Sequence, residues 1–202
     1  PMKKKSAIGF LSLALLSFSN ATLAEAPIVA EESLRSSLEH GRASKIVTYV
    51  LGNYHYEKTL LNDKLSEKIL DQYIKMLDPQ RTHFLKTDID SFSLHKHLVD
   101  DYLKKPDLDP MFNIFKTFRK RLENRISFSL SQLDNTFEFK SDESLIIDRS
   151  EENWATNVVQ LNNIWRKKVK NDVLSLRLAG KGPDEIKSKL QTRYKGALRR
   201  AK

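Results

Sequence analysis

The sequence predicts an all-α fold, an irregular bundle of about six helices preceded by a cleavable signal peptide. Two observations predict this class. Apolar residues recur at the three-and-four spacing of helical faces along most of the chain. The 202 residues also include only six glycines and six prolines, which disfavours a loop-rich β architecture. With 40% hydrophobic residues, a chain of this length can bury a core of its own.

Residues 1–24 have the pattern of a secretory signal peptide. Lys3–Lys5 form a positive region, Ile8–Phe18 an apolar stretch, and Thr22–Ala24 a plausible cleavage site before Glu25. The apolar stretch is too short to span a bilayer, which requires about 20 residues. A buried amphipathic helix is the alternative. We expect residues 25–42 to form a flexible N-terminus. Residues 43–202 are expected to form the helical domain.

The first elements of this domain are a helix and a helical hairpin. The hairpin runs from Asp63 to Asp90, with Asn62 or Asp63 as the N-cap of its first helix. Asp78-Pro79 is expected to stop that helix and to act as a structural hinge. Thr87 is the predicted cap of a second helix that continues to Tyr102. The first helix of the domain is expected to pack through an apolar face of Ala43, Ile46, Val47, Val50, Leu51 and Tyr54.

The longest helix is predicted to start with Asp109 as its cap and Pro110 at its first position. One face stays apolar from Met111 to Leu133, and the basic residues around Arg119–Arg125 are assigned mostly to the other faces. Residues 134–152 are expected to be a loop that wraps the bundle, with a possible short extended piece at 136–139.

Two further helices are predicted at the C-terminal end. The first spans Val158 to Ala179, with Gly180 as a candidate C-cap. The second opens at Pro183 and places apolar residues at every fourth position. Tyr194 and Leu198 are left open between packing inside this domain and burial against a following domain.

The charge is unevenly distributed. The net charge is +9, and residues 166–202 hold 13 basic residues against three acidic ones. Clustered Lys and Arg are typical of nucleic-acid binding, but a signal peptide makes that partner unfavourable. The favoured interpretations are a solvated helix face or a docking surface for an acidic protein or an anionic membrane.

The residues alone indicate no active site, and the sequence assigns no catalytic, cofactor-binding or metal-binding residue. The absence of cysteine excludes thiol catalysis and cysteine-ligated zinc. His95 and His97, beside Asp100 and Asp101, are spaced by two residues and would point to different faces of a helix. No G-x-S-x-G motif occurs, and pairs such as Ser175 with Lys187 are typical of helix surfaces.

Several linked motifs, in order and over most of residues 43–202, resemble one family. They are Lys64-Leu65-Ser66, Ile69-Leu70-Asp71-x-Tyr73-x-x-x-Leu77-Asp78-Pro79, Phe84-Leu85-x-x-Asp88-Ile89, Asp148-Arg149-Ser150 with Trp154, Leu161-x-x-Ile164-Trp165-x-x-x-Val169-Lys170, Leu174-Ser175-Leu176, and Arg193-Tyr194-Lys195 with Arg199-Arg200. This region is similar to the N-terminal helical domain of the tail-specific proteases of Gram-negative bacteria, the carboxy-terminal processing peptidases of the Prc/Tsp type.

The resemblance implies a periplasmic serine endopeptidase that recognises proteins by apolar C-terminal tails. In that family a PDZ domain and a core with a Ser/Lys dyad follow the helical domain, and this chain is expected to stop ahead of both. The chain itself is then expected to be an inactive scaffold. A helical-repeat lipoprotein is the implied adaptor in some members, and peripheral contact with the inner membrane is a further expectation. The alternative is a stand-alone periplasmic helical protein-binding module.

Overall fold

A computed structural model describes residues 33–54, 61–105 and 107–201, and the predicted signal peptide lies outside them. The described residues are all-helical, as predicted, and contain no strand beyond one isolated parallel bridge between Leu85 and Ala155. None of these helices has the length and hydropathy that a membrane crossing requires. The seven helices are α1 (Leu38–Tyr54), α2 (Asp63–Leu77), α3 (Lys86–Ser93), α4 (Val99–Lys104), α5 (Asp109–Gln132), α6 (Val158–Leu178) and α7 (Pro183–Ala201).

The long helix α5 belongs to two hydrophobic cores. Its N-terminal half contributes Ile114 to a core built by α2, α3 and α4, and its C-terminal half contributes Leu122 and Ile126 to a core shared with α6 and α7. Phe118, between them, packs against both. Helix α5 therefore joins these two cores.

The predicted helix ends on α2, α6 and α7 are confirmed. Asn62 caps α2 through its side-chain oxygen, which accepts the Leu65 N–H at 3.0 Å. Gly180 follows α6 with φ of +76°, and its N–H donates to Arg177 O while Lys181 N–H donates to Leu176 O. These two bonds form a Schellman motif, which requires the left-handed backbone that glycine adopts without strain. Pro183 opens α7.

The helix predicted from the hairpin to Tyr102 is wrong as a single element, because residues 94–98 interrupt it. In the interruption His95, Lys96 and Leu98 donate N–H bonds to carbonyls three residues earlier. The break gives α4 an N-terminus of its own, with a free backbone donor at Asp100 that the Ser66 hydroxyl accepts at 2.8 Å. It also accounts for seven helices where about six are expected.

Two predicted caps are displaced. Leu85, not Thr87, holds the N-cap position of α3, and its N–H donates to the Asp88 carboxylate at 2.9 Å. Leu108, not Asp109, precedes α5. The carboxylate of Asp109 instead accepts the backbone N–H of Ser36 at 2.6 Å, so it links the segment before α1 to α5.

Helix α1 differs most from its prediction. It begins at Leu38, five residues ahead of Ala43. It packs against α4, where the Ser44 hydroxyl donates to Leu103 O at 2.7 Å. Of the predicted apolar face, Ala43, Ile46, Val47 and Val50 are exposed, and the side chains of Leu51 and Tyr54 lie outside those that the structure describes.

Candidate functional site

The carboxylate of Asp78 organises the turn between α2 and α3. The side chain is 1% exposed. Its Oδ1 accepts the Thr82 N–H at 2.9 Å, and its Oδ2 accepts the N–H groups of His83 and Phe84 at 2.8 and 3.0 Å. His83 Nδ1 lies 2.9 Å from Oδ1. Pro79 ends α2, so the turn that follows has no helical carbonyls to accept its N–H groups. The buried Asp78 carboxylate accepts three of these N–H groups instead.

These contacts set the pKa of Asp78. Burial alone would raise the pKa of the carboxyl. The hydrogen bond and charge of His83, with the backbone donors of Thr82 and Phe84, outweigh burial and hold the pKa below its usual value. Asp78 is therefore a fixed negative charge inside the fold.

The Asp78 turn, residues 78–85, also holds α5 and α6. Trp165 Nε1 on α6 donates to Thr82 O at 2.5 Å. The ring of His83 meets the ring of Trp165 and the ring of Phe118 on α5, each with centroids 5.5 Å apart. The turn, α5 and α6 therefore meet at one point, which we call the Asp78 junction.

The loop between α5 and α6, residues 133–157, closes the junction from outside. Arg81 Nη1 donates to Glu152 O at 2.5 Å, and its guanidinium lies 5.7 Å from the ring centre of Trp154. Arg81 has φ of 51°, a left-handed conformation that is uncommon for a non-glycine residue. The N–H of Lys86 donates to Ala155 O at 2.8 Å. This loop wraps the bundle as predicted, but the possible extended piece at 136–139 is not a strand.

The other end of the loop is held to α6 by Glu143. Its carboxylate contacts the Arg166 guanidinium and accepts from Lys170 Nζ at 2.9 Å. Hydrogen bonds from these two cations lower the pKa of Glu143 to about 2. Lys167 adds a bond from Nζ to Ser144 O at 3.0 Å. Several of the basic residues counted in the sequence therefore hold the loop in place.

A second buried pair joins α2 to α4. Ser66 is fully buried, and its hydroxyl donates to Asp100 Oδ1 at 2.6 Å, while Lys104 Nζ lies 2.6 Å from Oδ2. Burial would raise the pKa of Asp100, but the bonds from Lys104 and Ser66 lower it. Serine, carboxylate and lysine are thus adjacent. Their geometry is structural, because the hydroxyl proton is already donated to Asp100 and no substrate can reach a fully buried oxygen.

Two of the basic residues that the sequence assigns mostly to the non-apolar faces of α5 lie against other elements in the structure. Arg121 makes a bidentate pair with Asp88, with both N–O distances at 2.8 Å. Arg125 is 6% exposed, so it is buried although it lies off the predicted apolar face. Its Nη1 donates to Asn162 Oδ1 at 2.5 Å, and its guanidinium lies over the Phe128 ring. Burial, then the charge of Arg121, lowers the pKa of Arg125.

The residues weighed as metal or catalytic candidates lie apart. His95 Nδ1 is 2.7 Å from the Tyr102 hydroxyl, whereas Asp100 faces Ser66. Within the described ranges no group of three or more His, Asp or Glu side chains could hold a metal ion. Ser175 donates to Asn171 O, and Lys187 pairs with Asp134.

On α7, Tyr194 and Leu198 pack inside this domain, which is one of the two alternatives that the sequence left open. Tyr194 is 6% exposed and belongs to the core of α5, α6 and α7, against which Leu198 also packs. The Tyr194 hydroxyl donates to Asp172 Oδ2 at 2.8 Å. Burial, with the charge of Asp172, raises the pKa of this hydroxyl. Sequence spacing could not identify Asp172 as its partner, since the two lie on different helices.

Comparison with known proteins decides the family. The model of the tail-specific protease N-terminal domain matches residues 47–202. The chain belongs to the tail-specific protease family. It is 36% identical over 175 residues to a tail-specific protease of Haemophilus influenzae, an alignment that covers 86% of this chain and 24% of the relative. The chain therefore spans about a quarter of the length of that curated relative.

The family match covers the Asp78 junction and both cores completely. The polar residues at the centre of these features form bonds within the domain. The Asp78 junction therefore fixes α2, α3, α5 and α6 and the loop of residues 133–157 relative to each other.

Proposed function

We propose that this chain is the N-terminal scaffold and adaptor-docking domain of a periplasmic serine endopeptidase. The whole enzyme degrades or processes proteins from their C-terminal tails, and this chain by itself is inactive. The proposal rests on family membership and on the share of the relative that the chain spans. The observation that carries the scaffold role is the Asp78 junction, where a buried carboxylate, Trp165 and Arg81 lock the hairpin, α6 and the loop together.

The chemistry is assigned to the longer polypeptide. The family resemblance implies a serine activated by a lysine general base in a core that follows a PDZ domain. Substrates with apolar C-terminal tails would bind there. A scaffold of rigid helices suits such an enzyme, because a substrate must be held in one geometry relative to a nucleophile.

The proposed partners of this domain are proteins and not nucleic acid. A helical-repeat lipoprotein is the proposed adaptor, and contact with the inner membrane would be peripheral. Export by the signal peptide of residues 1–24 would place the domain in the periplasm.

A deletion tests the scaffold role in the longer protease. Removal of residues 43–202 leaves the PDZ domain and the catalytic core in place. We expect the shortened protein to lose degradation of a folded substrate with an apolar C-terminal tail. The same substrate with a charged tail is the control and should resist both proteins. Unchanged degradation after the deletion would refute the scaffold role.

A further inference from the structure

A cavity of about 190 Å³ opens beside the Asp78 turn, where the turn, the loop of residues 133–157 and α6 meet. The turn contributes Gln80 to its wall, and α6 contributes Lys168, Asn171 and Asp172. Sites for whole small-molecule ligands usually measure about 300–1,000 Å³. This cavity, which we call the loop cavity, therefore has room for a single side chain.

The wall that the loop contributes is apolar. It contains three consecutive aliphatic residues, 145–147. Ile146 and Ile147 are 48% and 85% exposed, and Leu145 is half-buried. Within the described part of the chain, residues 145–147 form no hydrogen bond. A run of exposed apolar side chains favours association, so a soluble domain retains one mainly where it serves a contact.

Both ends of this apolar segment are fixed to other elements. Before it, Lys167 Nζ on α6 donates to Ser144 O at 3.0 Å. After it, the Arg149 N–H donates to the side-chain oxygen of Gln80 at 2.8 Å. The aliphatic side chains are therefore held at the edge of the cavity, and a partner would not have to order them on binding.

The polar part of the wall carries positive charge that the domain leaves unneutralised. The Arg149 guanidinium forms one long hydrogen bond, from Nη2 to Asn153 O at 3.4 Å. The Lys168 ammonium lies 5.3 Å from the centre of the Trp165 ring. Neither cation is paired with a carboxylate of the described residues.

The carboxylate in the wall, Asp172, is already bound by other groups. Its Oδ2 accepts from the Tyr194 hydroxyl at 2.8 Å, and its Oδ1 lies 3.3 Å from the Arg193 guanidinium. Two cations beside an apolar edge therefore lack a counter-charge. A surface complementary to this one combines an apolar side chain with negative charge.

We infer that the loop cavity is a docking site for an acidic segment of a partner protein, which inserts one aliphatic side chain between carboxylates that face Arg149 and Lys168. This inference rests on the proposed function, because it assigns the protein-docking role of the domain to one surface. An apolar anchor in a pocket is the usual centre of such a contact. A second copy is a poor occupant, since the chain carries a net charge of +9.

Peptide titration of the 202-residue chain tests the site. The probe is a tripeptide, blocked at both ends, with leucine between two glutamates. Two control peptides change one feature each: glutamines replace the glutamates, or alanine replaces the leucine. The side-chain amides of Gln80 and Asn171 lie in the cavity wall, so their NMR signals report binding there. The amide of Asn124, exposed on α5, reports binding elsewhere.

We expect the probe to reach half-saturation at a concentration at least about threefold below that of the glutamine peptide, because exposed ion pairs contribute modestly. The alanine peptide should need at least about tenfold more than the probe, because alanine buries less apolar area. A variant with both Arg149→Gln and Lys168→Gln should bind the glutamate and glutamine peptides equally. Lys195→Gln removes an exposed cation of α7 and should keep the preference for glutamate.

Three results would overturn the inference. The first is equal half-saturation for the three peptides, or shifts at Asn124 as large as those at Gln80 and Asn171. The second is shifts at these two amides that grow with protein concentration without peptide, which would identify a second copy as the occupant. The third is binding to phosphatidylglycerol vesicles without binding of the probe, which would assign the surface to a membrane.

The test stays decisive if the double variant does not fold, because the three peptides are compared on the unmodified chain. It is also independent of the longer protease. Absence of probe binding would remove the loop cavity as a docking site, whereas the deletion of residues 43–202 tests the scaffold role separately.

Discussion

Replacement of Asp78 by asparagine probes the junction at its centre. The side chain keeps its shape and loses its charge and one acceptor. The amide orients so that its oxygen takes the Oδ2 position, where it still accepts from the N–H groups of His83 and Phe84. The amide nitrogen then takes the Oδ1 position, where it faces the Thr82 N–H and leaves that donor without an acceptor.

The expected loss of stability follows from the Thr82 donor. A buried donor without an acceptor costs about 1–3 kcal/mol. Thr82 is 2% exposed, so water cannot replace the lost acceptor there. We therefore expect Asp78→Asn to lower the free energy of unfolding by about 2 kcal/mol. For a domain of this size that is a fall of about 4–8 °C in Tm.

Urea unfolding followed by circular dichroism and tryptophan fluorescence measures this change. The two tryptophans of the chain, Trp154 and Trp165, both lie at the junction, so fluorescence reports on it directly. Asp90→Asn is the control. Asp90 is an exposed carboxylate paired with Lys86, and its loss is expected to cost at most about 0.5 kcal/mol.

The pH dependence gives a second test of the same residue. The pKa of Asp78 is lowered in the folded protein, so its contribution is present above the unfolded pKa of about 3.9. It is lost as pH falls through the folded pKa. The difference in free energy of unfolding between wild type and Asp78→Asn should therefore be large at pH 7 and become smaller below about pH 4. A difference at pH 7 as small as that of Asp90→Asn would refute the reasoning.

Three further predictions concern other parts of the fold. Glu143→Gln should lower the free energy of unfolding at neutral pH. The difference in this free energy from wild type should shrink between about pH 4.3 and pH 2, because the pKa of Glu143 in the folded protein is about 2. A difference independent of pH would contradict this. Gly180→Ala should destabilise by about 1 kcal/mol, because φ of +76° strains alanine although its Cβ meets nothing within 4 Å. Gly196→Ala, inside α7, should raise the free energy of unfolding by about 0.5–1 kcal/mol. If both substitutions changed stability in the same direction, the positive φ of Gly180 would not be the cause of its effect. Arg121→Lys should cost about 1 kcal/mol in thermal unfolding, since lysine cannot make the bidentate pair with Asp88, and an unchanged Tm would disprove that role.

Features encoded by neighbouring residues could be predicted from the sequence. Asn62 as a cap, Pro79 as a stop and Gly180 as a terminator each act through bonds or dihedral angles within a few positions. The spacing of apolar residues at every fourth position on α7 likewise identified residues that the structure buries, namely Ile186, Leu190 and Tyr194.

Features that depend on distant partners could not be predicted. Asp78 was identified only as a helix stop and hinge, because its role depends on the Thr82–Phe84 turn closing over it and on Trp165, 83 positions after Thr82. The burial of Arg125 could not be predicted, since nothing local to α5 indicates that Asn162 on α6 accepts a bond from it. The face of α1 was wrong for the same reason: periodicity identifies an apolar face and does not say which partner buries it.

A peptidase assay of residues 25–202, without the predicted signal peptide, tests the proposed scaffold role most directly. Circular dichroism and cooperative unfolding first establish that the preparation is folded. We expect a helical protein that does not cleave a substrate with an apolar C-terminal tail, under conditions in which the longer protease cleaves it. Cleavage by residues 25–202, abolished by a serine-directed inhibitor, would contradict the assignment of catalysis to the longer polypeptide.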